Sequence, residues 1–312
     1  MVRTVSDIDQ QAFEQAFGAR VRFDEPLSRH TSFRIGGPAD VWVEVADAEE
    51  IRRVLALAAA TDLPLWVLGG GTNILVSDRG VRGLVLHLGR RFAAFDWRAN
   101  GDGQHVRAGA AVPFKRLVNE AVARELAGLE FAEGIPGTVG GGLLMNAGAF
   151  GGEISQVIEF VEGVDAAGTL RRLPRQALRF SYRHFDLPAG FIVTHVEFLL
   201  QPGDRAAIVA RRADAKKRRE AHQPLGYPNA GSIFKNPPGE YAGRLIEAVG
   251  LKGARHGGAM IAEQHANFIV NLGGATAADV RALMNEAAQR VWEAKQVRLE
   301  PEIRLVGDWG TL

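Results

Sequence analysis

The sequence predicts a chain of mixed helix and strand, packed as α/β or α+β. Three observations carry this. First, residues 38–68 change period twice: Val41, Val43 and Val45 alternate as in a strand, and Asp47 caps a helix with an apolar stripe at Ile51, Val54, Leu55 and Ala58. Leu65 to Leu68 then reads as a buried strand. Second, two glycine-rich stretches, LWVLGGGTNILV (65–76) and IPGTVGGGLLMNAGAFGGE (135–153), break the apolar runs. Third, Pro202-Gly203 punctuates a change of texture, beyond which the chain is helical and strongly charged.

At 312 residues the chain has room for two or three domains and a substantial core. With 46% hydrophobic and 23% charged residues it falls in the soluble globular class. A formal charge of +1 gives no support to bulk binding of nucleic acid or membrane surfaces. There is no Cys, which removes disulfides, thiolate nucleophiles, iron–sulfur clusters and cysteine zinc sites, and is compatible with a reducing cytoplasm. The N-terminal MVRTVSDIDQQAFEQAF lacks the apolar stretch of a signal peptide, and no stretch has the length of a membrane span.

Taken in order, Ala12, Phe13, Ala16 and Phe17 fall on one face of a short helix that Gly18 can end. A Gly-Gly-Pro turn follows HTSFRI, with Arg34 just before it, placed to meet a phosphate or simply exposed. After the first glycine stretch come strands at 83–88 and 104–108, and a helix from Pro113 to about Glu125. The second glycine stretch is too small in side chain for an ordinary helix or strand, so a loop is expected, with turns between strands rather than a turn into a helix. Pro136 rigidifies its start, Thr138 offers a hydroxyl, and exposed backbone N–H groups there suit a phosphate. Residues 157–165 and 169–173 read as a hairpin around Ala166-Ala167-Gly168, and 191–200 as a strand.

Residues 204–221 form a helix whose Arg211, Arg212, Lys216, Lys217, Arg218 and Arg219 read as a solvated face, because no aromatic platform accompanies them. PLGYPNAGSIFKNPP (224–238) is a turn-rich loop around Ser232, Lys235 and Asn236. A helix over 240–249, a strand over 266–271, a helix over 277–295 with a stripe at Val280, Leu283, Met284, Ala287 and Val291, and a last strand over 299–305 complete the chain.

The chemistry is narrowed by exclusion. No three glycines have the Gly-x-Gly-x-x-Gly spacing, and no Gly-Lys pair exists for a P-loop. No His-Glu-x-x-His zinc pattern and no Gly-x-Ser-x-Gly elbow occurs. What remains is the pair of glycine stretches and three polar positions: Arg183 and Glu302, each a charge in an apolar or aromatic strand context, and Ser232 in a glycine- and asparagine-rich turn. Singly, Arg183 reads rather as a structural ion-pair partner, Ser232 as a turn residue and Glu302 as an exposed strand residue; together they stand on an unusual background.

Seven segments in this order, TSFRIGGPAD, VLGGGTNILV, GIPGTVGG with MNAGAFGGEI, SYR, NAGSIFKNP, HANFIVN and LEPEIR, resemble the UDP-N-acetylenolpyruvoylglucosamine reductase family from about Leu27 to Val306. The resemblance implies an α+β fold: a two-lobed FAD-binding domain of the vanillyl-alcohol-oxidase/PCMH type over 33–203, after an N-terminal helix and linker (1–32), and a C-terminal α+β substrate domain over 204–312. It implies non-covalent FAD, NADPH as hydride donor, and reduction of the enolpyruvyl ether of UDP-N-acetylglucosamine in cytoplasmic peptidoglycan precursor synthesis. No metal, nucleic acid or membrane partner is expected. Carried over position by position, Arg183, Ser232 and Glu302 are the catalytic arginine, proton donor and glutamate. Arg34, Gly69, Gly70, Gly71, Thr72, Asn73, Ile135, Pro136, Gly137, Thr138, Gly140 and Gly141 surround the cofactor, and Tyr182, Lys235 and Asn236 meet substrate.

There are departures: Phe150 stands where many relatives have Tyr, and Ala262 and Gln264 replace the family's Ser and Lys. The Arg183 to Ser232 interval is short, similar to the branch without a tyrosine-bearing lid loop. The glycine stretches alone also suit another FAD-dependent oxidase or dehydrogenase of the same fold, and a nucleotide-binding regulator without catalysis. The segments around Ser232 and Glu302 argue against the first, and the polar trio itself against the second.

Overall fold

The computed structural model describes residues 10–101 and 103–310, so the first nine residues of the expected N-terminal segment lie outside it. The chain divides into two compact units. The first comprises Met1–Arg22, Trp42–Gly70 and Leu84–Arg219, and the second Phe23–Val41, Gly71–Gly83 and Glu220–Leu312.

The first unit opens with α1 (Gln10–Phe17), which buries Phe13 and Phe17 as the periodicity requires. In α2 (Ala48–Thr61) the side chain of Asp47 accepts the Glu50 N–H at the N-terminus, and Asp62 in the left-handed region ends the helix. Arg20, one turn beyond α1, makes a two-pronged ion pair with Glu50 of α2 at 2.5 and 2.6 Å. That carboxylate also accepts the Ala46 N–H at 2.7 Å, so one buried side chain ties the N-terminal segment to the entry of α2. A six-stranded antiparallel sheet forms the larger layer: Leu170–Pro174, Ile158–Val164, Ile192–Pro202, Gly103–Gly109 and Phe95–Asn100 in that spatial order, with Leu126–Ala127 on the end of the long strand. α3 (Phe114–Ala123) buries Phe114, Leu117, Val118 and Ala121.

Two expectations fail here. The strand Leu65–Leu68, parallel to Val81–Leu88, sits at a sheet edge with Trp66 and Val67 exposed instead of buried. The second glycine stretch is not only loop: Thr138 caps a short helix, α4 (Val139–Leu144), despite Gly140, Gly141 and Gly142. Packing overrides propensity, because a Cβ on Gly140 would stand 3.0 Å from Ala110 Cβ and one on Gly142 3.2 Å from the Phe114 ring. Glycine is what lets this helix lie against its neighbours.

α5 (Arg205–His222) is less solvated than its composition suggests. Arg211 pairs with Glu130 at 2.6 Å, Arg212 with Glu133, and Arg219 Nε donates to the Glu133 carbonyl at 3.1 Å. Glu130 and Glu133 are buried, so Arg212 and Arg219 lie half-buried over a carboxylate and a carbonyl, while Arg211 stays exposed beside Glu130 as a solvated face requires.

In the second unit, α6 (Ala242–Ala248) and α7 (Ala277–Lys295) pack with the antiparallel strands Arg255–His256, Ala259–Ile261 and Ile269–Asn271. The α7 stripe Val280, Leu283, Met284, Ala287 and Val291 is buried as expected, in one cluster with Phe33, Ile35, Leu75 and Ile233. The last strand is shorter than expected, Arg304–Val306, and runs parallel to Ile74–Val76. Pro301 lacks the N–H a longer ladder needs, and only an isolated bridge joins it to Phe234. Among the described residues no helix is long and apolar enough to cross a membrane.

The Arg20–Glu50 pair sets a pH dependence. The Arg20 hydrogen bond holds the Glu50 carboxyl below its usual 4.5, against the opposing effect of burial. Its stabilisation is therefore present above the unfolded carboxylate range and is lost as pH falls through the depressed folded value. Glu50→Gln should lower the thermal midpoint at neutral pH, and the gap to the parent should close as pH falls from the usual carboxylate range through the lowered folded value. A constant gap across that window would show that the charge contributes nothing.

Candidate active site

In the first unit the two glycine stretches meet. A Cβ on Gly70 would stand 2.8 Å from Gly137 Cα, and one on Gly69 would stand 2.8 Å from Thr138 Oγ1. Side chains at either position would separate the segments. The second segment is pinned from behind: Phe114 N–H donates to the Gly137 carbonyl and Gly140 N–H to the Ala110 carbonyl, both at 2.9 Å. Thr138 Oγ1 accepts the Gly141 N–H at 3.3 Å.

Beside this contact lies a cavity of about 290 Å³, with Val67, Leu68, Gly69, Gly70, Thr138 and Gly141 among its lining residues. The exposed edge strand is thus one of its walls. Farther along the same wall, His87 Nδ1 is 2.9 Å from the Leu68 carbonyl, so Nδ1 must carry the proton, and Trp42 stacks on the ring at 5.1 Å. Apolar walls suit flat rings, and backbone amides with no Cβ between them suit a diphosphate. The residues present therefore fit FAD.

Arg183 also belongs to the first unit, and it is not in a strand. It occupies the two-residue tip, with Tyr182, between Phe180–Ser181 and His184–Phe185. Its φ of +57° costs roughly 1–3 kcal/mol for a side chain other than glycine, so the surroundings must hold it. Phe180 and Phe185 stack at 4.6 Å under the tip, and the guanidinium lies 5.1 Å from the Tyr182 ring centre. Sequence reasoning missed Arg219 as a neighbour. Burial holds its guanidinium below the usual arginine value; Glu133 opposes this and the Arg183 cation adds to it. Phe150, exposed, lies 5.9 Å under Arg219 and 6.0 Å under Arg218. Where the resemblance leads one to expect Tyr, the Phe150 ring thus faces two cations. The only signal in the sequence was the basic run itself.

The second unit brings Ser232 and Glu302 together. The Glu302 N–H donates at 2.8 Å to the carbonyl of Ile233, the residue after Ser232. Phe234 bridges Pro301, and Lys235 N–H donates to the Glu300 carbonyl at 2.9 Å. Glu302 precedes the last strand rather than sitting in it. Asn73 of the first glycine stretch is in the same unit: its Nδ2 donates to the Glu302 carbonyl at 3.1 Å, and its own carbonyl accepts the Arg304 N–H at 3.0 Å. Two segments far apart in sequence, those of Ile233 and Asn73, therefore hold the backbone at Glu302. Ser232 is half-buried, and among the described residues nothing hydrogen-bonds its hydroxyl.

The remaining expected contacts are more occupied. Lys235 Nζ pairs with Glu300 at 2.5 Å, and Asn236 Oδ1 accepts the Ala242 N–H at 3.0 Å, capping α6. Gly71 has φ +60°, and a Cβ there would stand 2.0 Å from the His30 carbonyl oxygen; its own carbonyl accepts the Ser32 N–H at 3.0 Å. Thr72 is half-buried beside it. Arg34 is exposed, in the left-handed region at φ +56°. Ile135 is half-buried and Pro136 exposed in the first unit. Ala262, where the resemblance leads one to expect Ser, is packed with Phe268 and Val270, and Gln264 Nε2 donates to the Ala221 carbonyl at 3.2 Å. Among the described residues no group of three His, Asp or Glu side chains could hold a metal ion.

Comparison with known proteins finds relatives for both parts of the chain. Residues 39–174 match a model described as FAD binding domain, and residues 223–306 match the C-terminal domain of UDP-N-acetylenolpyruvoylglucosamine reductase. The sequence is 51% identical over 292 residues to UDP-N-acetylenolpyruvoylglucosamine reductase 2 of Symbiobacterium thermophilum, covering 93% of this chain and 92% of that one. It is 46% identical to the reductase of an Anaeromyxobacter species, covering 99% and 96%. The crystal structure of the Thermus caldophilus reductase (MurB) is similar with a TM-score of 0.79 at 39% identity, covering 92% of this chain and 99% of that one. Identity of this size over nearly the whole length, in both parts of the chain, means that it belongs to the UDP-N-acetylenolpyruvoylglucosamine reductase family.

Proposed function

We propose that this chain reduces the enolpyruvyl ether of UDP-N-acetylglucosamine to UDP-N-acetylmuramate, with NADPH as reductant, in the cytoplasmic synthesis of peptidoglycan precursors. The observation that carries this reading is the pairing of Ser232 with Glu302: a hydroxyl with no hydrogen-bond partner among the described residues, one residue from the carbonyl that holds the glutamate's backbone. That arrangement suits protonation of a carbanion-like centre, which the reduction of an enol ether conjugated to a carboxylate requires.

We assign Gly69, Gly70, Ile135, Pro136, Gly137, Thr138, Gly140 and Gly141 to the diphosphate and ribityl part of FAD, with Arg34, Gly71, Thr72 and Asn73 as further contacts. On this reading residues 33–203 hold the cofactor and residues 204–312 the substrate, with Tyr182, Lys235 and Asn236 also meeting substrate. FAD supplies, when bound, a two-electron carrier that accepts hydride from NADPH and delivers it to carbon.

The protein's own residues handle charge and proton. When hydride reaches C3 of the enolpyruvyl group, the electron pair of the double bond moves to C2 and into the carboxylate. Arg183, a fixed cation on a rigid turn, stabilises the enediolate, and Glu302 assists by hydrogen bonding. The Ser232 hydroxyl gives its proton to C2, completing the saturated ether, and is reprotonated from solvent. A hydroxyl is a weak acid, but the carbanion-like centre is strongly basic, so placement matters more than acidity. The Lys235 cation eases the alkoxide that forms.

Two outcomes test this. The protein should purify yellow, with FAD released on denaturation. Gly70→Val, which would push a side chain into Gly137, should purify with its FAD largely lost. A colourless parent that FAD cannot reconstitute, or a fully loaded Gly70→Val protein, would contradict the assignment of the cradle.

Ser232→Ala should leave flavin reduction by NADPH nearly unchanged and slow reoxidation by the enolpyruvyl substrate by ~10²–10⁴-fold in stopped-flow traces. Ser232→Cys, with a more acidic group, should retain more activity than the alanine variant. Equal slowing of both half-reactions, or of neither, would leave Ser232 with a structural role only.

A further inference from the structure

We propose that Asn146 is a positioning residue for Arg183, coupling the turn that carries the arginine to the glycine segment of the cofactor cradle. The inference rests on the reading of Arg183 as the group that stabilises charge on the substrate. It adds a residue that touches neither substrate nor cofactor.

Asn146 closes α4. Its N–H donates to the Leu143 carbonyl at 3.0 Å, and the next N–H, of Ala147, donates to the Gly142 carbonyl at 2.8 Å. The backbone is left-handed, φ +39°, the position after a helix where glycine is commonest and asparagine next. Glycine stands at 140, 141, 142 and 148 around it, so a glycine here would serve the backbone alone. Asparagine adds a side chain that is fully buried.

Both polar atoms of that side chain are used. Oδ1 accepts the Ser155 N–H at 3.2 Å, and Nδ2 donates to the Ser181 carbonyl at 3.1 Å. The partners settle which atom is which, because an N–H needs the oxygen and a carbonyl needs the nitrogen. Ser181 pairs with His184, and only Tyr182 and Arg183 lie between them. Ser181 and Tyr182 are exposed, so packing does not fix the near side of the turn; the buried amide does.

The opposite end of α4 begins at Thr138 and Gly141, which line the cavity. One helix of six residues thus has the cofactor cradle at its start and the anchor of the Arg183 turn at its end. A change at Asn146 should shift the guanidinium against the cradle without touching either. A displacement of about 1 Å in a reacting group costs on the order of 10²-fold in rate.

The test uses the FAD-loaded full chain. Asn146→Asp keeps the shape and the acceptor for Ser155, but sets an oxygen against the Ser181 carbonyl. The expected result is unchanged flavin content, unchanged reduction by NADPH, and reoxidation by the enolpyruvyl substrate slowed by ~10–10²-fold, with kcat falling and KM little changed. In an Arg183→Ala background the same substitution should have no further effect, since there is no guanidinium left to misplace. If Asn146→Asp fails to hold FAD, Asn146→Gly, which suits the left-handed backbone, gives the same comparison. Parental reoxidation in Asn146→Asp, or an equal loss in the Arg183→Ala background, would overturn the inference while Arg183 keeps its role. Parental reoxidation in Arg183→Ala alone would remove the role of Arg183, and this inference with it.

Discussion

Backbone presses on backbone where Gly70 approaches Gly137, and the arrangement of the first unit follows from that approach. With no Cβ on either residue, the edge strand Leu65–Leu68 and the entry to α4 draw together, and the cavity opens beside them. Thr138 fits only because Gly69 leaves room for its hydroxyl, which in turn caps α4. α4 then sets where Asn146 emerges, and Asn146 holds the turn that carries Arg183. A single glycine contact thus constrains cavity wall, helix and arginine turn in sequence.

The second unit solves a different problem, which is to hold a hydroxyl and a carboxylate on irregular backbone. Neither Ser232 nor Glu302 lies in a regular strand. Their placement comes from crossed hydrogen bonds: Ile233 to Glu302, Asn73 to Glu302 and Arg304, and Asn267 to both faces of Phe234 at 3.0 and 2.8 Å. Buried amides do here what a sheet ladder does elsewhere. The core beneath, from Phe33 through Ile233 to the α7 stripe, keeps that framework from shifting.

What was legible in the sequence was what local chemistry decides. The Asp47 cap, the α7 stripe and the hairpin around Gly168 follow from period and turn residues, and the structure has them where the pattern puts them. The failures share a cause. Leu65–Leu68 reads as buried because it is apolar, yet Trp66 and Val67 are exposed and Val67 and Leu68 line the cavity; an apolar run does not say what covers it. Gly140–Gly142 reads as loop because propensity opposes helix, and tertiary contact with Ala110 and Phe114 overrides it. Arg183 reads as a strand residue because its neighbours are aromatic, whereas those rings stack beneath a turn. Arg212 and Arg219 read as solvated because their carboxylate and carbonyl partners lie about eighty residues away.

The central claim is that hydride and proton reach different carbons, with the proton passing to C2 from an exchangeable group on the protein. Turnover in heavy water, with the product read by proton and deuterium NMR, tests it most directly. The account predicts deuterium at C2 of the new lactyl group, in a single configuration, because a hydroxyl exchanges with solvent before it reacts. Protium at C2 in heavy water would mean that C2 receives a hydrogen that does not exchange with solvent, and would contradict the account.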